Sequence, residues 1–333
     1  MTTELPPPDH ERPRPLAERL RGIVPSMNTP FLDAGGVDTL SIARSTEAVL
    51  ADGVAGMLIL AVAGETGSLS LAEKRVVAEC FLRTVAGRVP VIVGCSSAHQ
   101  ADRLALAAMA RELGAPAMLC QAPNGLRGQE LLAQMRELAA VGPPFLMLQD
   151  LQFDGPGLSL DDILLLHSAL PTLGSVKIEV TLPGPKYSAV LAATDGRLHV
   201  AGGWAAAQMM EALHRGVHCF IPTAMDPVWV AIHRHFMAGR PDAARALHER
   251  LTPVLAFSNQ HIDVSIRFFK HLRHREGLFS TALCRAGVAA LDAHQMRELD
   301  CQVERVLALQ RQLADAALAD IFTATAKAER TAG

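Results

Sequence analysis

The chain has 333 residues, half of them hydrophobic and 20% charged, with a formal net charge of -3. That is enough chain to bury a large core, and the near-neutral balance argues against nucleic acid as a partner. Its apolar stretches are strand-length or broken by charge, and the Pro- and charge-rich opening from Met1 to Arg21 has no apolar signal core. No membrane contact and a cytoplasmic location are therefore expected.

After a tail over residues 1–20 that is expected to be disordered, short apolar runs alternate with helical patterns, the sequence sign of βα units and a parallel sheet. Strands are expected at 22–27, 55–63, 90–95, 117–121, 145–149, 175–179, 198–201 and 219–222. The intervening helices are expected at 37–52, 71–86, 98–113, 128–140, 159–168, 185–194, 204–215 and 226–238. Eight such units match an α/β fold of the (β/α)8 TIM-barrel type over 21–240, since a doubly wound sheet opens with a Gly-rich turn and no GxGxxG follows the first strand. Further helices at 240–277 and 293–315, with Leu247, Leu251, Val254 and Leu255 at helical spacing, form a C-terminal helical region over 241–320. A mobile tail is expected at 321–333.

Six cysteines are scattered without CxxC spacing, so neither disulfides nor zinc are implied. The thirteen histidines show no ligand spacing, and no metal is expected. The residue that stands out is Lys177, inside the β-branched run Ser175-Val176-Lys177-Ile178-Glu179-Val180. Burial favours the neutral amine, the nucleophile that forms a Schiff base with a carbonyl substrate. The alternative is a lysine at a strand end whose ammonium snorkels to water. Barrel chemistry sits at the C-terminal ends of the strands, where Lys177 falls. Alternation puts Glu179 on the same inward face, with Val176, Ile178 and Val180 facing the helices. The pair reads either as a structural ion pair, which makes the lysine a poorer nucleophile, or as an amine with its proton acceptor.

Gly64-Glu65-Thr66-Gly67-Ser68-Leu69-Ser70-Leu71-Ala72-Glu73-Lys74-Arg75 is similar to the GE-x-x-SLS-x-x-E-R signature of the dihydrodipicolinate synthase and N-acetylneuraminate lyase family. Arg21-Gly22-Ile23-Val24-Pro25, Asn28-Thr29-Pro30-Phe31 and Gly87-Arg88-Val89-Pro90-Val91-Ile92-Val93-Gly94 extend the resemblance, and Val176-Lys177-Ile178-Glu179 matches the Schiff-base strand. The resemblance covers about residues 20–310. It implies that Lys177 forms an imine with the keto group of a 2-oxo acid such as pyruvate, without cofactor, in a homo-oligomer (dimer or tetramer). Part of the signature also has a structural reading, because Ser68 and Ser70 can cap the next helix and Glu73 completes a capping box with Ser70.

The departures bear on activity. The family's fifth-strand tyrosine is replaced by Leu148, and the sole tyrosine, Tyr187, lies in the helix after Lys177. Val62 and Ala63 replace the paired threonines before the GE signature, and the aromatic after the fourth strand is lost within Ala122-Pro123-Asn124-Gly125. Phe153 stands where lysine-pathway synthases carry an arginine, which argues against dihydrodipicolinate synthase activity proper. Gln149-Asp150, Lys177-Ile178-Glu179 and Pro183-Gly184-Pro185-Lys186 are instead similar to a branch that includes dehydratases of 2-keto-3-deoxy sugar acids. Without the tyrosine, Glu179, Asp150, Thr66 or water are the proton carriers to consider, Glu179 first by geometry.

Substrate contacts are expected from the backbone N–H groups of Ala63 and Gly64, from Glu65 and Thr66, and from Gln149 and Asp150 unless that pair bonds loop backbone. Gly202 and Gly203 would let the chain approach a ligand, a tight βα turn being the plainer explanation. Trp204 and Met209 read as pocket wall or core, and Asn259, Gln260 and His261 as an oligomer contact or solvated face. The expected function is a Schiff-base class I lyase, aldolase or dehydratase, cleaving a C–C or C–O bond of a 2-oxo acid. Its rival is a degenerate relative that binds an oxo acid or a protein without turnover. A metal-dependent barrel enzyme is disfavoured because no His/Asp/Glu set closes successive strands.

Overall fold

The structure is a computed structural model that describes residues 15–203, 206–285 and 287–331. Eight parallel strands form one sheet: β1 (Gly22–Ile23), β2 (Met57–Ile59), β3 (Val91–Gly94), β4 (Ala117–Gln121), β5 (Phe145–Gln152), β6 (Leu173–Val180), β7 (His199–Gly202) and β8 (Cys219–Phe220). Each pairs with its sequence neighbour except β1, which pairs with β8. A parallel bridge from Ser26 to Leu58 then closes β1 onto β2, completing the (β/α)8 barrel. The first strand is shorter than its apolar run because Pro25 has no N–H to give the ladder; Val24 and Ser26 donate to Phe220 and Pro222 at 2.9 and 2.8 Å on either side. The second is cut short at Leu60, whose φ of 55° turns the chain into a 3₁₀ turn over Val62–Gly64.

The barrel helices are α2 (Thr39–Asp52), α3 (Leu71–Val85), α4 (Gln100–Glu112), α5 (Gly128–Val141), α6 (Leu160–Ala169), α7 (Pro183–Ala193), α8 (Met209–His214) and α9 (Asp226–Met237), following a short α1 (Leu16–Arg19). Ser70 caps α3 in the expected capping box, its Oγ accepting from Glu73 N–H at 3.2 Å and Glu73 accepting from Ser70 N–H at 2.9 Å. Ser68 does not share that role; its hydroxyl donates to Glu65 O at 2.9 Å. Met209 is core, and Trp204 lies outside the described residues.

α1 corrects the expectation of a disordered stretch through residue 20. Leu16 and the fully buried Leu20 pack into the barrel interior against Val24, Leu58, Ile92, Ala117, Leu119, Met147, Ala201, Cys219 and Ile221, so the N-terminal mouth is plugged by apolar side chains. Residues 1–14 of that expectation lie outside the described residues. Beyond α9 come α10 (Pro241–Ser258), α11 (Ile262–Arg275) and α12 (Ala293–Thr331), with α10 packed on α9 and α12. The backbone of α12 stays helical over most of the span expected as a mobile tail.

Candidate active site

Inward-facing residues of β6 climb the barrel as Ser175, Lys177 and Glu179, because side chains alternate along a strand. At the top, the Lys177 ammonium lies 2.9 Å from Glu179 Oε2, and the same oxygen accepts from Gln149 Nε2 at 2.5 Å. All three side chains are buried, with relative exposures of 6%, 8% and 7% for Lys177, Glu179 and Gln149. A carboxylate that holds an amine in a low-dielectric pocket is placed to take the amine's proton, after which the lone pair can attack a carbonyl carbon. Gly203 makes the arrangement possible: a Cβ there would lie 2.1 Å from Glu179 Cγ and 2.2 Å from its Oε1. The glycine therefore admits Glu179, not a ligand. The Cβ direction of Gly202 faces Phe220 and Tyr187 behind the strand.

The register corrects one alignment. Leu148 pairs with Val176 and faces the helices, whereas Gln149 pairs with Lys177 and faces inward. The residue beside the lysine on β5 is thus an amide, which can orient Glu179 but cannot carry a proton at neutral pH. Tyr187 is no substitute. It is buried behind β6, its hydroxyl donating to Ile178 O at 3.3 Å, and burial, with Glu179 and Glu211 nearby, pushes the phenol above its ordinary range.

Asp150 belongs to the opposite face from Lys177. Its Oδ1 accepts from Leu158 N–H at 2.9 Å and its Oδ2 pairs with Lys186, which also donates to Pro156 O at 2.6 Å. Asp150 and Lys186 clamp the β5–α6 loop, so the Gln-Asp and Pro-Gly-Pro-Lys segments meet in a structural ion pair, and Asp150 is withdrawn from the substrate contacts. Glu65 is withdrawn for a similar reason. It sits at φ 53°, and its carboxylate is held by Lys270 Nζ at 2.5 Å and Arg285 N–H at 2.8 Å. Lys270 is fully buried, and that burial, only partly offset by Glu65, lowers its pKa. It also lies over the Phe31 ring with its Nζ 4.0 Å from the centroid.

In the turn before Glu65, Asn28 Nδ2 donates to Ala63 O and Thr29 Oγ1 to Gly64 O, both at 2.7 Å. Gly64 N–H is committed to Ala61 O at 3.0 Å, which removes it from the expected anion contacts. Ala63 N–H and the half-buried Thr66 are then the groups of this turn to consider for a carboxylate.

Sequence reasoning missed the cover of the site. Asn259, Gln260 and His261, between α10 and α11, line a cavity of about 410 Å³ together with Phe153, Glu179, Ile262 and Ser265. A polar break between two amphipathic helices is the only sequence signal for this turn, and nothing local says that it folds over a strand about eighty residues earlier. Among the described residues no cluster of His, Cys, Asp or Glu is arranged to hold a metal, and no helix is long and apolar enough to cross a membrane.

A family model for the dihydrodipicolinate synthetase family matches residues 19–306. The 4-hydroxy-tetrahydrodipicolinate synthase of Agrobacterium fabrum is 37% identical over 103 residues, 31% of this chain and 35% of that relative. With two further curated relatives, the matches span 35% to 60% of the relatives' own lengths. Among solved structures, a dihydrodipicolinate synthase from Rhodopseudomonas palustris superposes with a TM-score of 0.79 at 23% identity, covering 86% of this chain and 98% of that one. The sialic acid aldolase of Ruminococcus gnavus gives 0.80 at 18% identity, covering 89% and 100%. Identities this low speak for the fold alone. The family match runs from the end of α1 into the first part of α12 and takes in the whole barrel, and on that ground the chain belongs to the dihydrodipicolinate synthetase family.

Proposed function

We propose that the protein is a class I lyase that forms a Schiff base between Lys177 and the keto carbon of a 2-oxo acid, then breaks a C–C or C–O bond or removes a proton at C3. The observation that carries this reading is the buried Lys177–Glu179 pair, oriented by Gln149 at the C-terminal end of the barrel. In the first step Glu179 takes the ammonium proton, the Nζ lone pair attacks C2, and water leaves the carbinolamine to give a protonated imine. That imine draws electron density from C3, and Glu179 is the base within reach to move the C3 proton. Ala63 N–H and Thr66 are the proposed donors to the substrate carboxylate. No metal or organic cofactor is required by this sequence of steps.

Phe153 in place of a cation supports a substrate other than that of the lysine-pathway synthases. Pyruvate and 2-keto-3-deoxy sugar acids are the substrates to test. The proposal includes a cytoplasmic location and a homodimer or homotetramer, the latter read out by light scattering on the purified chain. The loss of hydroxyls at Val62 and Ala63 favours a second reading, in which an oxo acid binds without turnover. Both are tested by following deuterium exchange at C3 of pyruvate by NMR in heavy water. Exchange by the wild type that is lost in Lys177→Ala supports the lyase. Absence of exchange with any 2-oxo acid in the folded protein removes it, and adduct formation without exchange favours the binding-only reading.

A further inference from the structure

We propose that Lys270 is a positioning residue: acting through Glu65, it fixes the turn from Ala63 to Thr66 and so sets the affinity for the substrate carboxylate. The inference rests on the imine reading and adds to it the remote residue on which carboxylate binding depends. Lys270 is fully buried, bonded to Glu65 and seated over the Phe31 ring, so it has no surface of its own to offer a ligand.

Glu65 is the joint between two 3₁₀ turns, Val62–Gly64 and Thr66–Ser68. Its φ of 53° and ψ of 34° are left-handed, a conformation that a residue with a side chain keeps only where its surroundings enforce it. The backbone bonds of the joint stay within the segment: Glu65 N–H donates to Val62 O at 3.0 Å, and Glu65 O accepts from the Ser68 N–H and hydroxyl, both at 2.9 Å. Restraint from outside comes from Asn28 and Thr29 on the carbonyls of Ala63 and Gly64, and from Lys270 and Arg285 N–H on the Glu65 carboxylate. Ala63 stands two residues before the joint and Thr66 one after it, so a rotation at Glu65 moves one proposed donor relative to the other.

Stability does not account for the pair. Desolvating an ammonium and a carboxylate costs about what their attraction returns, and apolar side chains of similar size fill such a place equally well. What the ion pair supplies and an apolar pair lacks is direction, since Lys270 Nζ at 2.5 Å fixes where Glu65 Oε1 stands. Lys270 is itself aimed by the Phe31 ring, 4.0 Å from its Nζ, and by α11, which is anchored one turn later where Arg273 pairs with the buried Asp226 at the start of α9. The same helix begins with Ile262 in the cavity that Glu179 lines, about 12 Å along its axis from Lys270. The cover beside the amine and the anchor of the carboxylate turn are therefore parts of one helix. Because the charges of Lys270 and Glu65 offset each other, Lys270 acts on where the donors stand and adds little field of its own.

The test is borohydride trapping on the full chain, scored as the Lys177 adduct by peptide mass at increasing concentrations of pyruvate and of acetone, a ketone with no carboxylate. In Lys270→Met the half-saturating concentration of pyruvate is expected to rise about tenfold or more, the scale of one lost hydrogen bond to a charged group. That of acetone, and the saturated trapping rate with pyruvate, should change by less than about threefold. Lys270→Met strands the Glu65 carboxylate, so Glu65→Met/Lys270→Met is the second variant: it removes both charges and is expected to melt close to the wild type with the same loss for pyruvate. A pair that served folding alone would not separate the melt from carboxylate affinity in this way. An unchanged half-saturation by pyruvate in either folded variant, or equal rises for pyruvate and acetone, overturns the positioning role and leaves the imine standing. No Lys177 adduct with any 2-oxo acid in the wild type overturns both.

Discussion

Gly203→Ala probes the site without substituting either reacting group. The added Cβ would sit 2.1, 2.2 and 2.3 Å from Glu179 Cγ, Oε1 and Cδ, about 1 Å inside the closest approach that carbon tolerates. Glu179 cannot swing away freely, since Gln149 at 2.5 Å and Lys177 at 2.9 Å hold its other oxygen. Two costs follow: about 1–3 kcal/mol of stability from overpacking, and a displacement of about 1 Å of the carboxylate from the amine, which at a catalytic centre costs on the order of 100-fold in rate. The assays are thermal melting and the initial rate of borohydride-trapped adduct with pyruvate. The double variant Gly203→Ala/Glu179→Ala separates the causes. If the clash with Glu179 is the cause, adding Gly203→Ala to Glu179→Ala changes little, a strong non-additivity. A single Gly203→Ala variant that melts with the wild type and traps at the wild-type rate would refute the packing argument.

Lys186→Met leaves the buried Asp150 carboxylate without its cation, and loss of about 3–5 kcal/mol is expected in denaturant melts; Asp150→Asn/Lys186→Met should recover much of it. His199 is buried beneath the site, bonded to Ser175 Oγ at 2.8 Å, and burial, with His218 and Arg21 adding to it, lowers its pKa from 6.5 to about 3. Between those values the unfolded chain binds a proton that the folded one refuses, so stability falls as pH drops below about 6.5, by about 2 kcal/mol at pH 5. His199→Asn should flatten that acid limb, and an unchanged slope would count against the assignment. Asp52 runs the other way. Burial, with Asp226 adding to it, raises its carboxyl to about 7, so its contribution is present below the ordinary value near 3.8 and is lost as pH rises through 7. Asp52→Asn is therefore expected to stabilise the protein at pH 8, on the order of 1–2 kcal/mol once partial exposure is discounted, by roughly a third of that at pH 5, and to have little effect below about pH 4.

Local pattern carries the barrel because each βα unit announces itself. β4 matches its apolar run residue for residue, and α3 begins at the Ser70 cap that the sequence displays. Alternation within 175–180 is likewise enough to put Glu179 beside Lys177. What alternation along β6 cannot supply is the register of the next strand. β5 continues through Asp150-Leu151-Gln152 because β6 continues beside it to Val180, and that pairing makes Gln149, not Leu148, the neighbour of the lysine. Glu65 and Asp150 look like site carboxylates in one dimension; their partners Lys270, Arg285 and Lys186 are brought to them only by tertiary packing. The α10–α11 turn is the extreme case, since its place over Glu179 depends on how the appended helices dock on the barrel.

The central claim is that the Lys177 amine reacts. Intact-protein mass spectrometry after sodium borohydride treatment with pyruvate, comparing wild type with a folded Lys177→Ala variant, addresses it directly. The account expects one stable adduct per chain in the wild type, mapped by peptide analysis to Lys177 and absent from the variant. An adduct that persists in Lys177→Ala, or a wild type that forms none with pyruvate or any longer 2-oxo acid, would contradict it.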